Sequence, residues 1–483
     1  MLKLYNTLSR KKESFRPRKD KKVNLFVCGP TVYDLSHLGH ARTYIVFDVI
    51  VKYLREKGYD VFYLQNITDI DDKIINRAKE KKISPRKLAG DFKKEYLKDM
   101  KSLKIDAVSK YARATKHIKE IISQVKRLLK KHYAYQIKDG IYYDISRFKR
   151  YGKLSKRTAL QAEDAVSRID EAKEKRNKGD FALWKFSPST DSGRANHNEP
   201  KWRSPWGYGR PGWHIEDTAI TEKHFGTRYD IHGGAKDLIF PHHEAEIAQM
   251  EAISGEKPLV KYWIHSGFLT VKGQKMAKSL GNFVTIRDFL KENPARLLRL
   301  LIIKTHYRSP IDYNERLLSQ TKKELEKIDE FLDKLNNQKL KAEKKEFSLT
   351  IQTKDKNESK SLISKTKKEF ERAMQDDFNT PEAIAAIFNL VNEGNYLIAQ
   401  NKVRPKDASL FLELLNKIDK VFNFIFWKKP KEKIPRTLLD LVKQREECRK
   451  NGLWQKADEI RKKIKELGYR IEDTKDGSKI KKI

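Results

Sequence analysis

The sequence predicts an α/β chain built on a parallel sheet, interrupted by an insertion and followed by an all-α helical region and a small basic C-terminal domain. Three observations carry this. A strand–loop–helix–strand pattern opens the chain, a helical apolar stripe takes over from about residue 314, and a proline-flanked linker sets off residues 429–483. At 483 residues the chain exceeds what one hydrophobic core organises, so several domains are expected.

Val23-Asn24-Leu25-Phe26-Val27 is a short, mostly apolar run that ends at Cys28-Gly29-Pro30, as a buried strand breaking into a loop does. From Ala41 to Lys57 the apolar residues Ile45, Val46, Val49, Ile50, Tyr53 and Leu54 recur at helical spacing, and Gly58 stops the helix. Val61-Phe62-Tyr63-Leu64 is the second strand. Such a crossover implies a parallel sheet with its ligand site at the strand C-termini. Residues 1–105 form the first half of this domain. Residues 106–203 read as an insertion, helical at first and then Gly/Asp/Ser-rich from Ser187 to Asn198. The apolar signal resumes around Trp213, so 204–260 complete the sheet and 261–313 carry a lysine-bearing loop.

Leu318, Leu325, Ile328, Leu332 and Leu335 make one apolar stripe, which predicts a helical bundle over 314–428. Within it the Lys-rich stretch from Lys339 to Lys360 reads as a loop or mobile segment. Pro430 and Pro435 flank a linker, and Ala457, Ile460, Ile464 and Leu467 then form a helix that stops at Gly468.

Lys and Arg number 104 against 66 Asp and Glu, a formal net charge of +38. Such an excess attracts a polyanion and releases its counterions on binding, though a solvated lysine-rich surface has the same composition. Charged residues make up 35% of the chain and mean hydropathy is −0.76, and no apolar run approaches the roughly 18 residues that span a bilayer. The start, Met1-Leu2-Lys3-Leu4-Tyr5, lacks the apolar core of a secretory signal. Cys28 and Cys448 are the only cysteines, which fits a reducing, cytoplasmic setting.

His37-Leu38-Gly39-His40 lies in the loop before the first long helix. A helix N-terminus offers free N–H groups and a positive dipole end to phosphate, Gly39 admits a nucleotide close to the backbone, and two imidazoles can donate to a pentacoordinate α-phosphate. Two histidines around a glycine are weak evidence alone. Lys275-Met276-Ala277-Lys278-Ser279, with Leu280-Gly281-Asn282 after it, adds two ammonium groups on a glycine-flanked loop that could close on triphosphate. The two segments in this order, after a βαβ start, are hard to obtain by chance.

The pair resembles the HIGH and KMSKS signatures of class I aminoacyl-tRNA synthetases, and the surrounding text is close to the cysteinyl-tRNA synthetase family. Matching stretches are Leu4-Tyr5-Asn6-Thr7-Leu8, Val27-Cys28-Gly29-Pro30-Thr31-Val32-Tyr33-Asp34 and Asn66-Ile67-Thr68-Asp69-Ile70-Asp71-Asp72-Lys73. Others are Gly209-Arg210-Pro211-Gly212-Trp213-His214-Ile215-Glu216, Asp230-Ile231-His232-Gly233-Gly234, Phe240-Pro241-His242-His243-Glu244 and Asp376-Asp377-Phe378-Asn379-Thr380-Pro381. The resemblance runs over essentially the whole chain. It implies a Rossmann-type catalytic domain, a helical tRNA-binding region and an anticodon-binding end domain, working as a cytoplasmic monomer. It also implies ATP with Mg²⁺, L-cysteine and tRNA(Cys) as partners. By the same resemblance His37, His40, Lys275 and Lys278 are catalytic. Pro30, His37, Gly39, His40, Asp230, His232, Gly233, Gly234 and Lys278 bind ATP. Gly29, Thr31, Thr68 and Trp213 hold cysteine, and Trp454 stacks on the tRNA.

The family binds a zinc ion through Cys, Cys, His and Glu. Cys28, His242 and Glu246 match three positions, but the fourth is Asp217 where the family has cysteine. Carboxylate for thiolate keeps one negative charge and remains a competent zinc ligand, while making the site harder and richer in oxygen. Asp217 is therefore expected to complete the zinc set; the alternative is an ordinary buried Cys28 beside an ordinary polar Asp217. Ala277 stands where the family usually has serine, which leaves the two lysines to carry the charge.

Two competing functions remain open on sequence: a cysteine ligase joining cysteine to a small amine, and a catalytically dead RNA-binding relative. Residues 314–483 argue against the first, and the retained His40 and Lys278 against the second.

Overall fold

The computed structural model describes residues 1–157, 174–187, 199–276, 280–343, 358–427, 435–474 and 477–482. They fall into two compact units, Met1–Phe426 and Trp427–Ile483.

The first unit is organised by β1 (Lys22–Val27), α1 (Leu38–Glu56), β2 (Asp60–Ile67), β3 (Lys110–Arg113), α2 (Trp213–Phe225), β4 (Tyr229–Ala235), α3 (Glu244–Ser254) and β5 (Val260–Ser266). The five strands make one all-parallel sheet in the order β5-β4-β1-β2-β3. The chain runs outward from β1 through β2 to β3, then returns to the other side of β1 as β4. That reversal is a switch point, and it opens a crevice beyond the C-terminal ends of β1 and β4. α1 is buried along most of its length, including the expected Ile45, Val46, Val49, Ile50, Tyr53 and Leu54, because it packs against both the sheet and the helices that follow.

The sheet runs on past residue 105, where the sequence reading ends its first half, because β3 belongs to it. This four-residue edge strand, Lys-Tyr-Ala-Arg, buries only Ala112 and gave almost no apolar signal. The insertion has its own antiparallel sheet, with Ala134–Ile137, Gly140–Tyr143, Phe181–Phe186, Gly207–Pro211 and Trp202–Ser204 in that order across it. It therefore closes at Pro211, also later than expected. Of the Gly/Asp/Ser-rich stretch, residues 188–198 lie outside the described residues.

After β5 come β6 (Leu269–Val271), β7 (Gln274–Lys275), α4 (Ala295–Ile303) and β8 (Ile311–Tyr313), with β6 between β7 and β8 in a small sheet. Among the described residues four helices follow in this unit: α5 (Glu315–Glu343), α6 (Glu358–Gln375), α7 (Thr380–Ala399) and α8 (Pro405–Phe422). Leu318, Leu325, Ile328, Leu332 and Leu335 are all buried, as their spacing predicts. The polar stretch Lys339–Lys360 is helical at both margins, and residues 344–357 lie outside the described residues.

The second unit pairs helices α9 (Arg436–Lys450) and α10 (Trp454–Glu466) with a hairpin of Tyr469–Thr474 and Gly477–Lys482, around Leu438, Val442, Ile464 and Ile471. Gly468 at φ +82° ends α10 as expected, but Leu467 is 55% exposed and lies outside the core. Among the described residues no helix is long and apolar enough to cross a membrane.

Candidate active site and metal centre

Cys28 leaves β1 at the switch point, Asp217 lies in the second turn of α2, and His242 and Glu246 flank the start of α3, one helical turn apart. Their ligand atoms all lie within 4.8 Å of one another, and all four residues are buried. His242 Nε2 is 3.0 Å from Asp217 Oδ2 and 3.3 Å from Glu246 Oε1, and Cys28 Sγ is 3.9 Å from Glu246 Oε1. Asn66 Nδ2 donates to Asp217 Oδ1 at 2.5 Å, and His214 Nδ1 sits 2.8 Å from His242 Nδ1, so both ligands are aimed by an outer layer.

A divalent cation fits this set. Burial, then the Asp217 carboxylate, pushes the Glu246 carboxyl well above its ordinary range, and Glu246 Oε2 is a buried atom with no hydrogen-bond partner. Burial, followed by the Asp217 and Glu246 charges, likewise pushes the Cys28 thiol up. Two carboxylates and a thiol in one dry pocket are costly without a cation, and one thiolate, one imidazole and two carboxylates are competent zinc ligands.

The expected cysteine-site residues gather around this centre. Asn66 Oδ1 accepts from Gly29 N, and a Cβ on Gly29 would sit 1.8 Å from Asn66 O, so the close approach requires glycine. Thr31 and Thr68 are bridged, with Thr68 N donating to Pro30 O at 3.2 Å. The Trp213 indole stacks on the His242 ring at 4.3 Å and is 38% exposed. Its ring thus packs on His242 while remaining partly open.

At the N-terminus of α1 the His37 and His40 rings lie 4.0 Å apart. Gly39 N donates to His37 Nδ1 at 3.0 Å, and a Cβ on Gly39 would press within 2.7 Å of the His37 ring. Burial lowers His37 to about 4 and His40 well below its ordinary value, so both imidazoles are neutral near pH 7. Met276 of the second signature segment meets the first, its Cε 3.4 Å from where a Gly39 Cβ would be, and just beyond the segment Val284 O accepts from Leu38 N at 3.1 Å and Thr285 bridges His37. Lys275 ends β7, and Lys278 lies outside the described residues.

Asp230 and His232, both of the expected ATP set, are engaged with protein groups. Asp230 sits near the start of β4, where its carboxylate accepts from Arg18 N at 2.6 Å and Asn24 N at 2.9 Å. That is the end of the strand away from the crevice, and its oxygens are occupied in fastening β1 and the N-terminal segment. His232 is fully buried, stacked on Trp263 at 4.4 Å, with Nε2 at 3.4 Å from Cys28 Sγ. Alternation along β4 turns it inward toward Cys28. Gly233 and Gly234 line the strand end: a Cβ on Gly233 would strike Phe47 of α1 at 2.2 Å, and one on Gly234 would lie 2.9 Å from His243.

Asn66, His214 and His243 went unassigned in the sequence reading. His243 Nε2 lies 3.1 Å from Cys28 Sγ, and its Nδ1 2.8 Å from His265 Nε2, which places it in a second donor set with Cys28, His232 and Glu246. The signal available was position alone, since each lies within three residues of an assigned one. In the second unit Trp454 opens α10 at 61% exposure, with the Arg449 guanidinium 5.9 Å from its ring, so it is a surface residue rather than a core one.

The sequence matches the family described as tRNA synthetases class I (C) catalytic domain over residues 14–323 and the DALR domain over residues 369–426. Cysteine--tRNA ligase of Thermococcus gammatolerans is 45% identical over 491 residues, covering 100% of this chain and 99% of that one. That of Methanococcus maripaludis is 43% identical over 492 residues, covering 100% of both. A Mycobacterium tuberculosis methionyl-tRNA synthetase in complex with methionyl-adenylate shares the fold, with a TM-score of 0.60 at 16% identity, over 84% of this chain and 90% of that one. Full-length identity at this level, over a chain that holds both signature segments and the buried donor set, shows that it belongs to the cysteine--tRNA ligase family.

Proposed function

We propose that the chain joins L-cysteine to tRNA(Cys) using ATP, in the cytoplasm and as a monomer. A cysteine carboxylate oxygen attacks the α-phosphorus, the bond to the bridging oxygen breaks, and diphosphate leaves cysteinyl-adenylate behind. A terminal ribose hydroxyl of the tRNA then attacks the acyl carbon, and AMP leaves. The observation that carries this reading is the buried set of Cys28, Asp217, His242 and Glu246 beside the neutral His37–His40 pair at the switch point.

The protein's work is positioning and charge stabilisation. His37 and His40, at the N-terminus of α1, donate to the α-phosphate region. Lys275 and Lys278 neutralise the triphosphate, whose Mg²⁺ arrives with ATP. Thr68, Gly29 and Thr31 fix the amino acid, and Trp213 covers it. Trp454 offers an exposed ring on which an anticodon base stacks.

Shape alone rejects serine poorly, since it differs from cysteine by one atom. A zinc ion held by Cys28, Asp217, His242 and Glu246 supplies, when bound, a soft Lewis acid that prefers a thiolate to a hydroxyl. Exchange of labelled diphosphate into ATP, measured with cysteine and with serine, tests the reading. Exchange with cysteine far above that with serine, followed by transfer to tRNA(Cys), is the expected result; equal rates with the two amino acids would overturn it.

A further inference from the structure

The loop 306–309, between α4 and β8, supports both signature segments. Arg42, two residues past His40 and fully buried, donates from Nη1 to Ile302 O at 2.9 Å. Its Nη2 reaches His306 O at 2.9 Å, Ser309 O at 3.0 Å and Tyr307 O at 3.1 Å. From the opposite side Gly267 N donates to Tyr307 O at 2.7 Å, and a Cβ on Gly267 would sit 2.3 Å from Ser309 O. Gly267 joins β5 to β6, and β6 pairs with β7, which ends in Lys275. Lys236 Nζ caps Arg308 O at 2.8 Å. The helix of His37 and His40 and the strand of Lys275 therefore lean on the same four residues.

One side chain from the helical region holds that loop. Asp377, between α6 and α7, is fully buried, and its Oδ1 accepts from Tyr307 Oη and from Tyr5 N, each at 2.7 Å. Its Oδ2 accepts from Arg308 Nε at 2.7 Å, and its own N donates to Lys3 O at 2.9 Å. Asp377 and Phe378 lie at φ +59° and +49°, two successive non-glycine residues in the left-handed region. Such backbone persists only where the surroundings over-determine it, and it is concentrated at functional joints. A small apolar gap lined by Val46, Val49, Ile50, Ile303, Tyr307 and Phe378 lies beside the joint, so the contact of α1 with this corner is not packed solid.

We propose that Asp377 is a positioning residue for transfer to tRNA, coupling the seating of the helical region to the placement of His37 and His40, which hold the phosphate of the adenylate, through the loop 306–309. The proposal rests on the reading that the chain charges tRNA. In the proposed reaction a tRNA lying along the helical region loads α6 and α7, and Asp377 is the buried charge at their junction that reaches the loop. A mere bolt would serve both chemical steps alike, whereas a coupling residue matters most when tRNA is bound.

The test compares Asp377→Asn, which keeps the shape and removes the charge, with Tyr307→Phe, which removes one hydroxyl. Diphosphate exchange without tRNA is measured beside single-turnover transfer of cysteine from the adenylate to tRNA. Exchange is expected to stay within about twofold while transfer falls about tenfold and the KM for tRNA changes little. Loss of exchange equal to or larger than the loss of transfer overturns the proposal, as does unchanged transfer in both variants. If Asp377→Asn does not fold, Tyr307→Phe decides alone. An unaltered protein that exchanges diphosphate with cysteine but charges no tRNA defeats the earlier reading of function, and this one with it.

Discussion

At the residue scale, Asp217 brings a second carboxylate into the buried set of Cys28, His242 and Glu246. Its Oδ2 faces His242 Nε2 and its Oδ1 is held by Asn66 Nδ2, so the carboxylate is fixed with one oxygen turned toward the other ligands. Removing that restraint in Asn66→Ala should weaken metal binding by about 10- to 100-fold, read by competition with a chelator. The same substitution takes away the acceptor for Gly29 N, so the KM for cysteine should rise as well. His37 gives a pH signature. Burial lowers it from 6.5 to about 4, so between those values the unfolded chain binds a proton at this ring that the folded chain does not. Stability from this group is complete above about pH 6.5 and is lost as pH falls toward 4, by up to roughly 3 kcal/mol. His37→Gln should flatten that part of the acid limb in denaturant unfolding. Cys28, His242 and Glu246 were legible through the family resemblance, as side chain types able to hold a metal. Asn66 was not, because an amide carries no signal until its partner is seen.

At the scale of elements, α1 is the hub. Asp48 on it makes a fully buried pair with Arg299 of α4 at 2.7 Å, and Arg299 also donates to Phe422 O and Leu103 O, each at 3.0 Å. Arg299→Met leaves Asp48 with Lys52 at 2.9 Å and two backbone donors, so about 3 kcal/mol of stability should be lost in urea unfolding, the lower end for breaking a buried pair. Gly233→Ala drives a methyl into Phe47, where overpacking costs about 1–3 kcal/mol and shifts the first turns of α1 against β4. Its melting temperature should fall together with cysteine activation. The apolar spacing that predicts α1 is confirmed residue by residue because both periodicity and length are strong there. β3 carries almost no apolar signal, and the place of Asp230 near the start of β4 follows from register, which its identity does not reveal.

At the scale of the whole molecule, the net charge of +38 is spread along a chain whose last 57 residues, Trp427–Ile483, form a unit with its own small core. Phosphate contacts release counterions, so the KM for tRNA should climb steeply between about 50 and 200 mM salt while the KM for cysteine barely moves. A chain ending at Phe426 should keep cysteine-dependent exchange and charge tRNA with a raised KM, the behaviour of a separable binding unit. The domain order was readable from shifts in periodicity and composition, and family membership from the motifs along it. The candidate metal site unites both, since Cys28 just after β1, Asp217 of α2, and His242 and Glu246 at the start of α3 meet only when the sheet closes. Its most direct test is the metal-to-protein ratio of the chain purified without added zinc, alone and as Asp217→Ala. About one zinc per chain, lost in the variant, is the expected result. A ratio clearly below one with cysteine-dependent exchange intact would contradict the role given to Asp217.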